Sequence, residues 1–184
     1  MTELVFLLEE PSIAEVLEAI LPRILPPEIA YRLVPHEGKQ DLEKSIPRKL
    51  RAWRDPQVRF VVVRDQDSAD CQEVKARLLD LCRSAGRPNT LVRIVCRELE
   101  AWFLGDLAAV EKAYKNRRTA RLQQKASYRE PDRLNGAKRE LKRLVPEYQP
   151  RSGARSIAPH LNLDANCSRS FQVFLRGIRD LTAG

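Results

Sequence analysis

The sequence predicts an α/β protein with a mostly parallel sheet of about four strands and a helical extension at its C-terminal end. The first observation is a set of short apolar runs, of which those at residues 4–8 and 58–63 are continuous rather than alternating, apart from Arg59, as in strands buried on both faces. The second is that helical patterns separate the runs, as expected of βαβ units. The third is a change near residue 112, beyond which the chain becomes basic.

Each strand candidate is followed by signals that favour a helix. Ser12 and Glu15 have the spacing of a capping box at a helix start, and Asp70 and Glu73 repeat that spacing after the third run. Pro47 is expected to break the helix after the second run or to begin a second short one. The strand candidates are the runs at residues 4–8, 30–34, 58–63 and 91–96.

The length and composition fit one compact folded domain. At 184 residues and 43% hydrophobic content, the chain can bury a core, which excludes the disordered class. We expect residues 1–111 to form the α/β core. We expect residues 112–184 to form a basic helical extension that packs back on this core.

Apolar patterning and cysteine usage predict a cytoplasmic protein. No apolar run is long enough to cross a bilayer, and no signal-peptide pattern occurs at the N-terminal end. The cysteines lie far apart without a C-x-x-C pair, which argues against a zinc site or a disulfide framework and favours reduced thiols. They are Cys71, Cys82, Cys96 and Cys167.

The positive charge of the chain is concentrated in one segment. The net charge is +8, and residues 112–155 hold 14 Lys and Arg residues but only four acidic ones. A basic segment on a nearly neutral body is typical of proteins that bind nucleic acid, with DNA expected before RNA. The alternative is a solvated basic helix without a partner. An apolar stripe at residues 134–144 predicts an amphipathic helix whose cations would bind phosphates: Lys138, Arg139, Lys142 and Arg143.

Acidic residues follow three of the strand candidates at their carboxyl ends. In a parallel sheet these ends share the edge where ligands bind. Crowded carboxylates raise one another's pKa, and a divalent cation removes that repulsion. Oxygen ligands without clustered His or Cys indicate Mg²⁺ or Mn²⁺ rather than zinc. The alternative is that these acids cap helices and solvate turns. They are Glu9 and Glu10, Asp65 and Asp67, and Glu98 and Glu100.

Two of these segments resemble the Toprim signature shared by topoisomerases, primases and OLD-type nucleases. That signature is a glutamate directly after the first strand and a D-x-D after a later apolar strand, here Glu9 and residues 65–67. Glu10 stands where Toprim proteins usually have glycine, and Ile13 where they have a further acid, for which Glu15 would substitute.

More closely, the chain resembles a small stand-alone bacterial family of unknown function that is often encoded beside an SMC- or RecF-like ATPase. The similarity lies within residues 1–106, in the segments LLEEPSIAEVL, HEGKQDL, VVVRDQDSADC and RELEAWFLGD.

The resemblance implies a three-layer Toprim-like fold and Mg²⁺-dependent cleavage or nicking of phosphodiester bonds. Asp65, Asp67 and Glu9 would hold Mg²⁺ or Mn²⁺, with Glu10 as a further candidate ligand. Glu9 would alternatively act as the general acid or base, which is the role that the resemblance implies for its position. The implied setting is antiphage defence or DNA repair with an ATPase partner.

Four further residues complete the predicted catalytic set. Glu98 or Glu100 would complete a second metal site. Lys39, beside Gly38, and Arg97 would offset the charge that develops on the phosphate in the transition state. No tyrosine can be assigned as a topoisomerase nucleophile.

Two other functions compete with a nuclease. The first is a non-catalytic nucleic-acid-binding or regulatory subunit of an ATPase complex, because a fold does not determine a function. The second is a receiver-like phosphoacceptor domain, which also collects acids at strand ends. A receiver domain requires a fifth strand followed by lysine, and neither is evident in the sequence.

Overall fold

A parallel sheet lies at the centre of the structure, a computed structural model that describes residues 3–115 and 118–183. Within these ranges the sheet has four strands in the order β2-β1-β3-β4, and every neighbouring pair is parallel. The predicted α/β class is therefore confirmed. The strands are β1 (Glu3–Leu8), β2 (Ala30–Pro35), β3 (Arg59–Asp65) and β4 (Leu91–Val95).

Helices connect the strands and continue after the last one. The first three helices follow β1, β2 and β3, and the others follow β4. The α-helices are α1 (Pro11–Ile20), α2 (Lys39–Ala52), α3 (Cys71–Ser84), α4 (Glu100–Leu104), α5 (Leu107–Ala113), α6 (Ala126–Arg129), α7 (Ala137–Leu144), α8 (Pro150–Ile157) and α9 (Arg169–Thr182). Short 3₁₀ helices lie at Leu21–Arg23, Ala120–Gln124, Pro131–Arg133 and Ala158–His160. No helix in the described ranges is both long and apolar enough to span a bilayer.

The sheet separates two hydrophobic clusters, which explains the continuous apolar runs. Side chains alternate across a strand, so Phe6 of β1 enters one cluster and Val5 enters the other. Helices α2 and α3 cover the cluster that contains Val5. Helix α1 and the C-terminal helices cover the cluster that contains Phe6. The molecule is thus a three-layer sandwich.

The C-terminal helices share their core with the sheet. Trp102 of α4 packs against Phe171 and Phe174 of α9, with ring centroids 5.1 and 5.3 Å apart. Its indole N–H donates a hydrogen bond of 3.0 Å to the Ser170 hydroxyl. The predicted basic amphipathic helix is α7, which buries Ala137 and Leu141 while its four cations are exposed.

The sequence predicted capping residues at the starts of two helices, and the structure confirms only one of them. Asp70 caps α3 as predicted, because its side chain accepts from the backbone N–H groups of Gln72 and Glu73. The capping box predicted at Ser12 and Glu15 is wrong. Helix α1 begins with Pro11, so Ser12 already lies inside the helix and its hydroxyl donates to Glu10.

Pro47 also behaves differently from the expectation, because α2 continues through it from Lys39 to Ala52. Leu42, Ile46 and Leu50, on both sides of the proline, are buried in the same cluster. This shared burial favours one continuous helix over a break, at the cost of one backbone hydrogen bond.

Glu15 joins α1 to α8 instead of capping a helix. Its Oε1 accepts from Arg151 Nε at 2.8 Å and from Arg155 Nη2 at 2.7 Å, and its Oε2 accepts from Arg155 Nε at 2.8 Å. These hydrogen bonds and the two positive charges lower the pKa of Glu15 to about 2.

The lowered pKa predicts an acid-dependent part of the stability. A carboxyl whose folded-state pKa is depressed stabilises the fold above its unfolded pKa and loses that contribution as the pH falls towards the folded value. Glu15→Gln should therefore lower the free energy of unfolding at neutral pH, and its difference from the wild type should vanish near about pH 2. Urea unfolding at a series of pH values measures this difference. Glu28→Gln, at an exposed acid outside the contact, is the control; an equal loss there would contradict the assignment.

Candidate active site

Asp65 is the last residue of β3 and lies inside the carboxyl edge of the sheet. Its Oδ2 accepts the backbone N–H of Leu99 at 3.2 Å, while its buried Oδ1 has no hydrogen-bond partner within the described ranges. Burial raises the pKa of Asp65 well above its usual value, and the charges of Glu9, Glu10 and Glu100 raise it further. A carboxylate with one free oxygen among other acids is a position where a bound cation would favour the ionised form.

Glu9 extends the hydrogen-bonded ladder between β1 and β3 past the end of β1. Its backbone N–H donates to the Val63 carbonyl at 3.1 Å, and its Oε2 accepts the backbone N–H of Asp65 at 2.9 Å. Burial and the negative charge of Asp67 raise the pKa of Glu9, whereas the hydrogen bond from the Asp65 N–H lowers the pKa of Glu9. Two predicted ligands are therefore in direct contact through the backbone.

Arg64 is a site residue that the sequence analysis missed. It is only 5% exposed, and its Nε lies 3.9 Å from Oε2 of Glu9. Its Nη1 donates to Glu43 at 2.6 Å, and Glu43 also binds Arg77 at 2.7 Å. The available signal was an arginine at the end of an otherwise apolar strand. Arg64 places a buried positive charge beside the acids.

Asp67 lies in a loop whose backbone is braced by the loop after β4. Asp67 and Arg97 have φ values of 57° and 62°, a left-handed conformation that is uncommon for residues other than glycine. Such conformations cost about 1–3 kcal/mol each and persist where the surrounding contacts enforce them. Here the Asp67 N–H donates to the Arg97 carbonyl at 2.9 Å, and the Arg97 N–H donates to Gln66 Oε1 at 3.2 Å.

Lys39 lies at the same edge, as the sequence predicted, and its Nζ is 3.6 Å from Oδ2 of Asp67. The preceding loop is tied to the end of β1, because the Gly38 N–H donates to the Glu9 carbonyl at 2.9 Å. His36, in this loop, is only 5% exposed. Its Nδ1 lies 2.8 Å from the Leu8 carbonyl and its Nε2 contacts Ser45, which fixes the loop that presents Lys39.

The two acids after β4 point in different directions. Glu100 is 5% exposed, and its Oε1 accepts the Tyr148 hydroxyl at 2.9 Å. Burial raises the pKa of Glu100, and the Tyr148 hydrogen bond partly opposes this. Glu98 turns towards α7, where its Oε2 accepts the backbone N–H of Lys138 at 3.0 Å. A shallow cavity of about 310 Å³ opens between the D-x-D loop and the start of α7, lined by Asp67, Ser68, Arg97, Glu98, Asn135 and Gly136.

The basic residues of α7 differ in their distance from the acids. The charge of Lys138 acts on Glu100, and the Arg139 guanidinium lies against Gly136 at the cavity wall. Arg143 instead binds Glu140 at 2.7 Å and the Tyr128 hydroxyl at 3.1 Å, so its charge is partly neutralised. Lys142 is exposed.

The donor atoms at this edge match a hard divalent cation in chemistry. They are carboxylate oxygens, and Asp65 Oδ1 is already desolvated without a partner. In residues 3–115 and 118–183, however, no three Asp, Glu, His or Cys side chains converge on one point. Asp67 faces Lys39 and Glu9 faces the Asp65 N–H. Asp67 and Glu9 would have to rotate away from these partners to join Asp65 around one ion.

The raised pKa of Asp65 predicts that its charge destabilises the metal-free fold. An acid whose folded pKa is raised opposes folding once the pH exceeds its unfolded pKa. Asp65→Asn keeps an oxygen for the Leu99 N–H and removes the charge, so the metal-free melting temperature should stay equal or rise at neutral pH. The gain should shrink as the pH is lowered. Thermal unfolding in a chelator at several pH values tests this, and a fall in melting temperature at neutral pH would contradict it.

Comparison with known proteins identifies a protein with a similar fold and the family of this chain. A solved structure, the C-terminal region of the Burkholderia pseudomallei OLD protein, superposes with a TM-score of 0.56 at 18% identity, covering 98% of each chain. This likeness confirms an OLD-like fold, while the Toprim assignment and the ATPase neighbour stay predictions. No curated protein matches the sequence. A family model, described as a domain of unknown function (DUF4276), matches residues 8–179. The chain belongs to this family.

Proposed function

We propose that this protein is a divalent-metal-dependent phosphodiesterase that cleaves or nicks nucleic acid, with DNA as the expected substrate. The observation that carries the proposal is Asp65, a buried carboxylate with an unpartnered oxygen at the carboxyl end of a central strand. The hydrogen bond from the Leu99 N–H engages only the other oxygen, Oδ2. The neighbouring acids make its charge still more unfavourable unless a cation binds. The OLD-like fold supports the same class of function by analogy.

In this proposal Asp65, Asp67 and Glu9 hold Mg²⁺ or Mn²⁺, with Glu10 as a further candidate ligand. The ion would neutralise phosphate charge and orient the attacking nucleophile. The charge of Arg64, 3.9 Å from Glu9, partly opposes the rise that burial causes in the pKa of Glu9.

Lys39 and Arg97 act on the substrate phosphate. Lys39 is paired with Asp67 at 3.6 Å, and both side chains of this pair are about half exposed. Substrate phosphate and metal would together separate the pair, since the phosphate attracts Lys39 and the metal attracts Asp67. Glu100, held by Tyr148, and Glu98, at the start of α7, are the candidates for a second metal site.

Helix α7 would hold the nucleic-acid backbone. Its exposed cations begin at the cavity that contains Asp67 and Arg97, so a bound strand would pass from α7 to the acids. Contacts of this kind recognise phosphate rather than base sequence. An ATPase partner, in defence or DNA repair, remains part of the proposal.

A non-catalytic regulatory subunit of an ATPase complex is the second candidate. The observation that favours it is the ion pair between Lys39 and Asp67, which gives one predicted ligand a partner within the protein. In a scaffold the pair would simply stabilise the loop after β3.

The nuclease proposal predicts that Asp65→Asn and Asp67→Asn each abolish Mg²⁺- or Mn²⁺-dependent cleavage of plasmid and single-stranded DNA. Both changes should also remove the increase in melting temperature that Mg²⁺ gives the wild type. A bound ion stabilises the native state by about 2.7 kcal/mol at a hundredfold excess over Kd. Asp80→Asn is the control, because Asp80 is exposed on α3 and pairs only locally with Arg83.

Two outcomes of this experiment separate the candidates. Cleavage that is retained in either site variant would reject the assigned ligands. A wild type that shows neither a metal response nor cleavage, even with the ATPase supplied, would reject the nuclease in favour of the regulatory subunit.

The proposed role of α7 predicts a change in the salt dependence of binding. Replacing its four cations with glutamine should weaken binding to all sequences, and the log–log salt slope for duplex DNA should fall by about 0.9 per lost phosphate contact. Arg143 should contribute least, since Glu140 already binds it. Fluorescence anisotropy at several salt concentrations measures the slope. Lys44→Gln with Arg48→Gln, on exposed positions of α2, is the control. An unchanged slope in the α7 variant would show that these cations only solvate the helix.

A further inference from the structure

A second groove lies along the free edge of β4, away from the acids described above. Its volume is about 740 Å³, and its walls are formed by helices α3 and α9 and by residues 129–133. Val92, Arg93 and Ile94 of β4 lie at its base. Val173 also lines the groove. Its exposed fraction is 38%, and it is the one exposed large hydrophobic residue in the described ranges. We call this feature the β4 groove.

The β4 groove contains strand backbone that has no neighbouring strand on that side. In the described part of the chain β4 has a neighbour on one side only, which is β3. The Gln66 N–H donates to the Val95 carbonyl at 2.8 Å, so the backbone groups of Val95 face β3. Because these groups alternate in direction along a strand, those of Val92 and Ile94 face the groove. The position of the Arg93 guanidinium, 3.2 Å from the Val92 carbonyl, agrees with this direction.

The charges around the β4 groove are unbalanced. Its acids are already engaged: Glu130 binds Arg133 at 2.9 Å, and Asp132 accepts from the Ser168 hydroxyl and the Ser170 N–H, both at 2.6 Å. The other cations of the groove form no ion pair within 4.0 Å with any described residue. These are Lys75, Arg93, Arg129 and Arg169.

A strand edge without a neighbouring strand, bordered by Val173 and by cations, fits an extended acidic peptide better than nucleic acid. An added strand would take its main-chain hydrogen bonds from Val92 and Ile94, and its N–H would replace the Arg93 guanidinium at the Val92 carbonyl. Its acidic side chains would meet the rim. Sites for single-stranded nucleic acid usually present aromatic side chains on which bases stack. No Phe, Tyr or Trp lines this groove.

We propose that the β4 groove binds an extended acidic segment of a partner protein, which adds a fifth strand beside β4 and places its carboxylates against Arg129 and Arg169. The proposal does not depend on the nuclease function, because it uses none of the acidic residues at the carboxyl edge of the sheet.

The test uses a fluorescent pool of synthetic peptides of about six residues, a typical strand length, with Asp or Glu alternating with Val, Ile or Thr. Anisotropy should show saturable binding to the wild type. Arg129→Glu with Arg169→Glu should weaken it about tenfold, because each reversed charge turns an attraction into a repulsion. Arg176→Glu, on an exposed position of α9 outside the groove, is the matched control and should bind like the wild type.

Two further measurements separate strand addition from charge attraction. The same pool methylated on alternate backbone nitrogens should lose binding, because it cannot donate to the β4 edge. Hydrogen exchange of the Val92 and Ile94 amides should slow on addition of the unmodified pool, whereas the Arg93 amide, which faces β3, should not change.

Several results would overturn the proposal. These are no saturable binding, equal binding of the methylated pool, or equal loss in Arg176→Glu. An oligonucleotide that binds more tightly than the peptides and displaces them would show instead that the groove is a nucleic-acid surface.

Discussion

Two hydrogen bonds from backbone N–H groups to buried carboxylates organise the carboxyl edge of the sheet. The Asp65 N–H binds Glu9 at 2.9 Å and the Leu99 N–H binds Asp65 at 3.2 Å, so one chain of contacts joins the ends of β1, β3 and β4. Each bond partly offsets the burial of a negative charge, since a hydrogen bond to the ionised form favours it. The remaining loops are arranged around these two acids.

The carboxyl edge of the sheet combines several charged side chains with a buried carboxylate oxygen that has no partner among the described residues. Arg64 and Lys39 supply positive charge near Glu9 and Asp67, and Tyr148 donates to Glu100. Asp65 receives only one bond, and its pKa is raised by burial and by three neighbouring acids. Buried polar atoms are normally satisfied, so the unsatisfied oxygen of Asp65 supports our proposal that a cation binds there.

Sheet order separates the two surfaces on which our proposals rest. Because β1 and β3 are central neighbours, their ends bring Glu9 and Asp65 into contact. Because β4 is terminal, one side of it remains open between α3 and α9, next to exposed arginines. In our two proposals, one edge of the sheet acts on nucleic acid and the lateral edge at β4 binds a protein partner.

Patterns within short stretches determined the strands, most helices and the position of the acids at strand ends, because burial on two faces requires continuous apolar runs. Those patterns were sufficient for the α/β class and for placing Glu9, Asp65 and Lys39 at one edge. Only the tertiary structure decided the burial of His36, the pairing of Glu15 with α8 and the position of Arg64 beside Glu9. These features depend on contacts between residues distant in sequence, and nothing in the local spacing of a polar side chain specifies the partner that packing brings to it.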